Sequence, residues 1–175
     1  MSITERFLEK PGSGFAISRM TEHDLLEVVE IEEQSGLSRW GWAAYYAELQ
    51  GSNRDLMLVA RAPESKLSRV SQTLAGYVVA RVGADELHIN NVAVREKYRR
   101  QGIGVDLLER ILEEGRRLGV KTAFLELRAG NRAALYLYER CGFRITARRK
   151  KYYSEPPEDA LVMTIQLRET LDSFR

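Results

Sequence analysis

Apolar and polar positions along the chain change their period several times, and each period predicts an element. Residues 15–19 alternate and predict a strand, whereas residues 25–31 have helical spacing after an N-cap signal at Thr21. A second helix is expected at residues 42–49, and it ends near Gly51. The chain therefore begins with one strand and two helices.

Three stretches rich in β-branched and apolar residues follow, and they favour an antiparallel meander. They lie at residues 56–60, 74–82 and 87–94, and a polar connection at 63–73 separates the first two.

In the second half of the chain, segments with the helical spacing of apolar residues alternate with segments that have strand character. A long amphipathic helix is expected from Gly104 to Gly119, and a shorter one from an N-cap at Asn131 to Gly142. Strands are expected at 122–127, 143–153 and 161–167. The order β-α-α-β-β-β-α-β-α-β-β predicts an α/β fold, with a mixed, mostly antiparallel sheet of about seven strands flanked by about four helices.

The length of 175 residues, 44% of them hydrophobic, suits a single domain at 15–175 after a flexible leader at 1–14, which ends in Pro and Gly. A lone cysteine, Cys141, and two histidines exclude a disulfide framework and predict no metal site. No apolar run reaches 18 residues, and no targeting segment is evident. We expect a cytoplasmic protein, a monomer or weak dimer, that does not engage a membrane.

Charge is distributed unevenly behind a net value of +2. Residues 1–60 carry 5 basic and 10 acidic side chains, and residues 61–175 carry 22 basic and 15 acidic ones. The small net charge excludes a protein held to nucleic acid by bulk charge. The excess of basic side chains at 61–175 indicates that an anionic ligand would bind in this part of the chain. Six carboxylates at 21–38 indicate a solvated helix face, or one that attracts a basic substrate.

The segment at 92–105 is the most informative, because a strand leads into a basic turn whose glycines open a helix. The amides of a helix N-terminus lack intrahelical partners and favour anions, so a diphosphate fits this turn. Lys97, Arg99 and Arg100 add charge. Neither a nucleotide P-loop nor a Rossmann fingerprint is present, and on the glycines alone a plain basic surface turn remains the alternative.

With its preceding strand, R-x-x-G-x-G on Arg99, Gly102 and Gly104 resembles the acetyl-CoA motif of the GCN5-related N-acetyltransferases. The resemblance implies that acetyl-CoA is the cosubstrate. It places the pantetheine arm against Val92, Ala93 and Val94. It places the pyrophosphate on the turn and helix start, at Arg100, Gln101, Gly102, Ile103, Gly104 and Val105.

Two side chains are candidates for proton transfer. Glu126 is the one carboxylate in an apolar strand, where loss of hydration would raise its basicity; pairing with Arg128 or exposure to solvent is the alternative reading. Tyr138 carries a phenol that is protonated at neutral pH and can donate to a departing thiolate, although a core aromatic is the alternative.

Residues 126–143 and the closing segment at 151–161 resemble the RimI type, the bacterial ribosomal-protein alanine N-acetyltransferases. The resemblance implies that Glu126 accepts a proton, Tyr138 donates one, and Asn131 binds acetyl-CoA. It also implies a protein N-terminus as acceptor, the N-terminal alanine of a small-subunit ribosomal protein. A lysine side chain or a small amine is the alternative acceptor.

The same resemblance places the acceptor peptide between the loop joining the first two helices and the last strand connection. The candidate side chains are Leu37, Trp40, Tyr152 and Tyr153. Core filling is an equal alternative for Trp40. A basic run at 140–151 fits a nucleic-acid module, but an alternating strand with one solvated face explains it more simply, and no direct nucleic-acid contact is expected.

Overall fold

The computed structural model describes residues 14–36, 39–51, 55–63 and 73–167. Within these ranges the element order matches the one expected from the sequence. The strands are β1 (Ala16–Arg19), β2 (Asp55–Arg61), β3 (Leu74–Gly83), β4 (Glu86–Val94), β5 (Thr122–Arg128), β6 (Arg144–Ser154) and β7 (Pro157–Gln166). The helices are α1 (Leu25–Ser35), α2 (Gly41–Leu49), α3 (Ile103–Arg117) and α4 (Arg132–Arg140). Residues 1–13 of the expected leader and residues 64–72 of the polar connection lie outside the described ranges.

All seven strands form one sheet in the order β1-β2-β3-β4-β5-β7-β6. Every neighbouring pair is antiparallel except β4 and β5, which run parallel. The predicted fold class, a mixed and mostly antiparallel sheet with flanking helices, is confirmed.

The parallel pair β4–β5 is short. Pairing extends only from Glu86–Ile89 against Thr122–Leu125, and beyond these residues the two strands separate. The register between β3 and β4 shifts at this same point, where Asn90 is the extra residue of a β-bulge. A bulge bends its strand, so the local irregularity in β4 accompanies the opening of the sheet.

Apolar side chains cover both faces of the sheet. On one face α3 contributes Leu107, Leu108 and Ile111, each with no exposed surface. On the other face Leu25, Val28 and Ile31 of α1 pack with Tyr45 of α2. Burial of each such side chain contributes about 1.5–3 kcal/mol, so these two layers hold the open sheet together.

The acidic stretch at 22–33, which includes the turn before α1, differs from the expected solvated face. Asp24 and Glu32 are buried, whereas Leu26, expected within the apolar stripe, is 77% exposed. Glu27 and Glu30 both pair with Arg95, at 3.1 Å and 3.0 Å. Most of these carboxylates serve internal contacts, so the prediction of a solvated acidic face is wrong for them.

No helix in the described ranges is long and apolar enough to cross a membrane.

Candidate functional site

The turn between β4 and α3 has the conformation that its glycine predicts. Gly102 adopts a φ of 86° and precedes the helix, and Arg100 also has a positive φ, 64°. Ile103 is buried and anchors the start of α3, while residues 99–102 are exposed. The first amides of α3 lack intrahelical partners, so this exposed turn presents N–H groups suited to an anion.

The basic side chains around the turn point in different directions. Arg99 donates from Nε to the carbonyl oxygen of Val94 at 3.0 Å, which leaves its terminal nitrogens available. Arg100 makes no ion pair within the described ranges. Arg95 instead pairs with Glu27 and Glu30 of α1, so its charge does not serve the turn.

Strand β4 offers backbone groups toward the gap that separates it from β5. The Arg95 N–H donates to the Ala75 carbonyl at 2.8 Å, and pairs alternate between bonded and non-bonded along an antiparallel ladder. Ala93 therefore bonds toward β3, whereas Val92 and Val94 direct their N–H and C=O groups away from β3. An extended ligand can pair with this open edge at Val92 and Val94, whereas the backbone of Ala93 is already paired with β3. The expected contact of residues 92–94 with the pantetheine arm stays a prediction.

The start of α3 lies close to α4. A Cβ on Gly104 would lie 3.1 Å from the Leu137 side chain, so the small residue permits the close approach. At the start of α4, Asn131 accepts the Ala134 N–H through Oδ1 at 3.1 Å, which confirms its predicted N-cap role. Its predicted contact with acetyl-CoA stays a prediction.

Glu126 lies on β5 just past the point where β4 departs. Burial alternates along β5, so one face is covered and the face that carries Glu126 is half-buried, with 18% of the side chain exposed. Its Oε1 pairs with Nη2 of Arg149 at 2.9 Å, and not with Arg128, which pairs with Glu158. Glu126 is therefore only partly shielded from solvent, and its carboxylate is paired.

Tyr138 lies on the inner face of α4 and is 8% exposed. Its ring packs edge-on against Phe143 with the centroids 6.0 Å apart. Burial, chiefly, raises the pKa of the Tyr138 hydroxyl well above its usual value. The group therefore stays protonated at neutral pH, and no other described residue hydrogen-bonds to the hydroxyl.

The predicted acceptor residues occupy two places. Trp40 is half-buried at the start of α2, where its ring lies 5.5 Å from that of Tyr45, and Leu37 lies outside the described residues. On β6, Tyr152 is 49% exposed and Tyr153 is half-buried beneath the Arg128 guanidinium, 4.1 Å from the ring centroid. The two tyrosine rings meet edge to face at 5.3 Å.

Two further side chains of reactive types, Cys141 and His88, are poorly suited to catalysis. Burial raises the pKa of the Cys141 thiol to about 11, so the thiolate needed for an acyl-cysteine pathway is scarce at neutral pH. His88 stacks on Phe124 with centroids 4.5 Å apart, and burial lowers its pKa. His88 is part of the packed sheet, and Cys141 packs against the core at the end of α4.

The basic run on β6 forms an exposed edge strand. Arg148 pairs with Asp159 at 2.7 Å, and Arg149 pairs with Glu126. Part of the positive charge is thus matched within the protein.

Sequence reasoning missed one buried hydrogen-bonded cluster, which lies next to Trp40. Glu32, counted among the solvated carboxylates, is 1% exposed and lies beside Tyr45, Tyr77 and Asn91. A signal was available, because Glu32 follows Leu25 by seven positions and therefore falls on the apolar face of α1.

Comparisons with known proteins identify the family of the chain. The Acetyltransferase (GNAT) family matches residues 25–143. The [Ribosomal protein bS18]-alanine N-acetyltransferase of Escherichia coli (strain K12) is 40% identical over 96 residues, which span 54% of this chain and 65% of that protein. The Salmonella typhimurium protein of the same name is 30% identical over 153 residues, 86% of this chain and 97% of its own length.

A solved structure has the same fold. The crystal structure of the ribosomal-protein-S18-alanine N-acetyltransferase from Escherichia coli superposes with a TM-score of 0.75 at 29% identity, covering 92% of this chain and 99% of that one. The match covers most of the chain and is not confined to the turn and the candidate residues. The chain belongs to the GNAT acetyltransferase family.

Proposed function

We propose that this protein is an acetyl-CoA-dependent N-acetyltransferase of protein α-amines, with the N-terminal alanine of a small-subunit ribosomal protein as its acceptor. The observation that carries the proposal is the opening between β4 and β5. It has an anion-binding turn at one end and Glu126 at its margin. The names of the matched relatives support the acceptor. Such a substrate also favours a cytoplasmic location.

The residues around the opening suit a thioester bound through a diphosphate and an extended arm. The amides at the start of α3 would hold the diphosphate, with the terminal nitrogens of Arg99 and the side chain of Arg100 beside them. The free edge of Val92 and Val94 would pair with the amides of the arm. When bound, acetyl-CoA supplies the acetyl group as an activated thioester.

The acceptor amine needs only a modest base. An α-amino group has a pKa of about 7.7–8.0 against about 10.4 for lysine, so a chain terminus is partly neutral at pH 7. Glu126 would take the amine proton directly or through a water as the nitrogen attacks the carbonyl carbon. The outward-facing N–H of Val92 would stabilise the negative charge that develops on the carbonyl oxygen.

Tyr138 would donate its hydroxyl proton toward the sulfur as the carbon–sulfur bond breaks. Its raised pKa supports the protonated form, and it also makes complete transfer to a thiolate more unfavourable than for an ordinary phenol. The hydroxyl therefore acts chiefly by hydrogen-bonding to the departing sulfur. The amine gains the acetyl group and loses its proton to Glu126. The sulfur leaves as a thiolate hydrogen-bonded to Tyr138 and takes up a proton from solvent to become the thiol, with no covalent enzyme intermediate.

A peptide panel tests the proposal. The protein is incubated with acetyl-CoA and one of three acceptors: an alanine-starting peptide, the same peptide with a blocked α-amine and added lysines, or a polyamine. Mass spectrometry locates the acetyl group. Transfer to the free α-amine supports the proposal, whereas transfer only to lysine or the polyamine, or no transfer, refutes it.

A further inference from the structure

The buried carboxylate of Glu32 holds the beginning of α2. Its Oε1 accepts the Trp40 N–H at 2.9 Å and the Tyr45 hydroxyl at 2.7 Å, and its Oε2 accepts the Gly41 N–H at 3.0 Å. Among the described residues no Lys or Arg pairs with this carboxylate. Two backbone donors from a helix N-terminus and one phenol therefore compensate a charge that is 1% exposed.

The hydrogen bonds behind Glu32 run in one direction. Burial, chiefly, raises the pKa of Tyr45 far above its usual value, so its hydroxyl keeps its single proton, which it donates to Glu32. The 2.9 Å contact between the hydroxyls of Tyr45 and Tyr77 must then run from Tyr77 to Tyr45. Asn91 also donates to the Tyr45 oxygen, through Nδ2 at 2.9 Å.

This chain of bonds joins the two sides of the proposed reaction. It begins on β3 and β4, at Tyr77 and Asn91, and ends at Trp40 on the acceptor side. Asn91 directly precedes Val92, whose N–H faces the opening. A displacement of the Glu32 side chain would therefore move Trp40 and the start of α2 relative to β4, the strand that borders the proposed acetyl site.

We propose that Glu32 is a positioning residue that sets the affinity for the acceptor peptide by fixing Trp40 and the start of α2 against β4. The inference rests on the proposed function and deepens it. Glu32 does not act as a proton acceptor, because three donors already occupy its oxygens and the side chain has almost no exposed surface.

The primary test compares Glu32→Gln with Glu33→Gln, a matched control at the exposed neighbouring position. An amide retains one acceptor oxygen, but its NH₂ group faces a backbone N–H and loses that bond. The expected result is a rise of about tenfold in KM for the alanine-starting peptide, the effect of one lost charged hydrogen bond. The KM for acetyl-CoA and the values for Glu33→Gln should stay within about twofold of wild type.

A graded series keeps the inference testable if Glu32→Gln does not fold. Tyr45→Phe removes the phenol that donates to Glu32, whereas Tyr77→Phe removes only the phenol that donates to Tyr45. The KM for the peptide should therefore rise more in Tyr45→Phe than in Tyr77→Phe. An equal rise in the KM for the peptide and the KM for acetyl-CoA would indicate a purely structural role and overturn the proposal. A lowered melting temperature with unchanged kinetics would do the same.

Amide hydrogen exchange separates this inference from the proposed function. Faster exchange at Trp40 and Gly41 in Glu32→Gln, with no change at β6, is expected whichever amine the protein acetylates. Inactivity of wild type on α-amines refutes the proposed function and with it the kinetic claim. Unchanged exchange at Trp40 and Gly41 refutes the positioning role of Glu32 alone.

Discussion

Arg149 reaches from the edge strand β6 across β7 to Glu126 on β5, and its Nη2 lies 2.9 Å from Oε1 of the carboxylate. The pair occupies one oxygen, and within the described ranges no hydrogen bond or ion pair involves the second. Arg149 is half exposed, so the ion pair contributes little to stability, about 0–1 kcal/mol. Its consequence is orientation, because it holds the carboxylate at the margin of the opening.

Replacement of Arg149 by Gln should lower kcat on the peptide about tenfold, because a reacting group that is free to rotate is misplaced for much of the time. The free energy of unfolding should change by less than about 1 kcal/mol. Steady-state kinetics and urea denaturation measure the two quantities.

Arg148→Gln is the matched control for this prediction. Arg148 lies on the same strand and pairs with Asp159 at 2.7 Å, away from Glu126. It should leave kcat within about twofold of wild type. Equal losses in both variants would show that the basic strand acts through its overall charge and not by orienting Glu126.

Gly102→Ala should weaken acetyl-CoA binding. Gly102 has a φ of 86°, and a Cβ there would meet no atom within 4 Å, so the cost of the substitution is conformational, about 1–2 kcal/mol. The turn can relieve this strain by moving its amides away from the proposed diphosphate site. Calorimetric titration with acetyl-CoA should therefore show a dissociation constant raised about tenfold, since ~1.4 kcal/mol is a factor of ten.

Gly119→Ala separates strain from binding. Gly119 follows the other end of α3 with a φ of 82° and equally open space around a Cβ. Both variants should lose similar stability on thermal denaturation, while only Gly102→Ala loses affinity. Unchanged affinity in Gly102→Ala would remove the turn from the proposed cofactor site.

The sequence predicted the element order and the glycine turn because both depend on local rules. Hydrophobic period and capping signals specify α3 and α4, and Gly102 needs only its own backbone freedom. The partner of Glu126 could not be predicted in this way. Arg149 is 23 positions away and reaches Glu126 across an intervening strand, so the pair depends on the strand order and on the register shifts within β6.

The Glu32 cluster shows the same limit more sharply. Its donors come from α2, β3 and β4, and each residue has an ordinary local explanation by itself. The charge of Glu32 suggested solvent, while its helical position indicated the core. Glu32 is buried because residues distant in the sequence supply hydrogen bonds to this cluster, and these contacts cannot be predicted from one residue at a time.

Tyr138→Phe should abolish most turnover while leaving the fold intact. The hydroxyl makes no hydrogen bond within the described ranges, so its removal leaves no buried partner unsatisfied and changes the melting temperature little. Loss of the proposed donor to the departing sulfur should lower kcat about 100-fold. Tyr136→Phe, two positions away and 60% exposed, is the control and should keep wild-type activity. Near wild-type turnover in Tyr138→Phe would refute the assigned role.

Alkaline stability reports the buried state of the tyrosines independently of activity. Burial raises the pKa of Tyr45, Tyr77 and Tyr138. In the unfolded chain their hydroxyls ionise near pH 10, whereas the folded protein retains the protons. Their contribution to stability is therefore complete below about pH 10 and is lost progressively as the pH rises toward the folded-state values.

The slope of that loss can be assigned to individual residues. Each retained proton makes the free energy of unfolding fall by up to about 1.4 kcal/mol per pH unit above pH 10. Urea denaturation between about pH 9 and pH 11.5 should show a shallower decline in Tyr138→Phe by that amount, while Tyr136→Phe should follow wild type. Identical slopes in Tyr138→Phe and wild type would mean that the Tyr138 hydroxyl titrates as it does in water, which contradicts its burial beside Phe143.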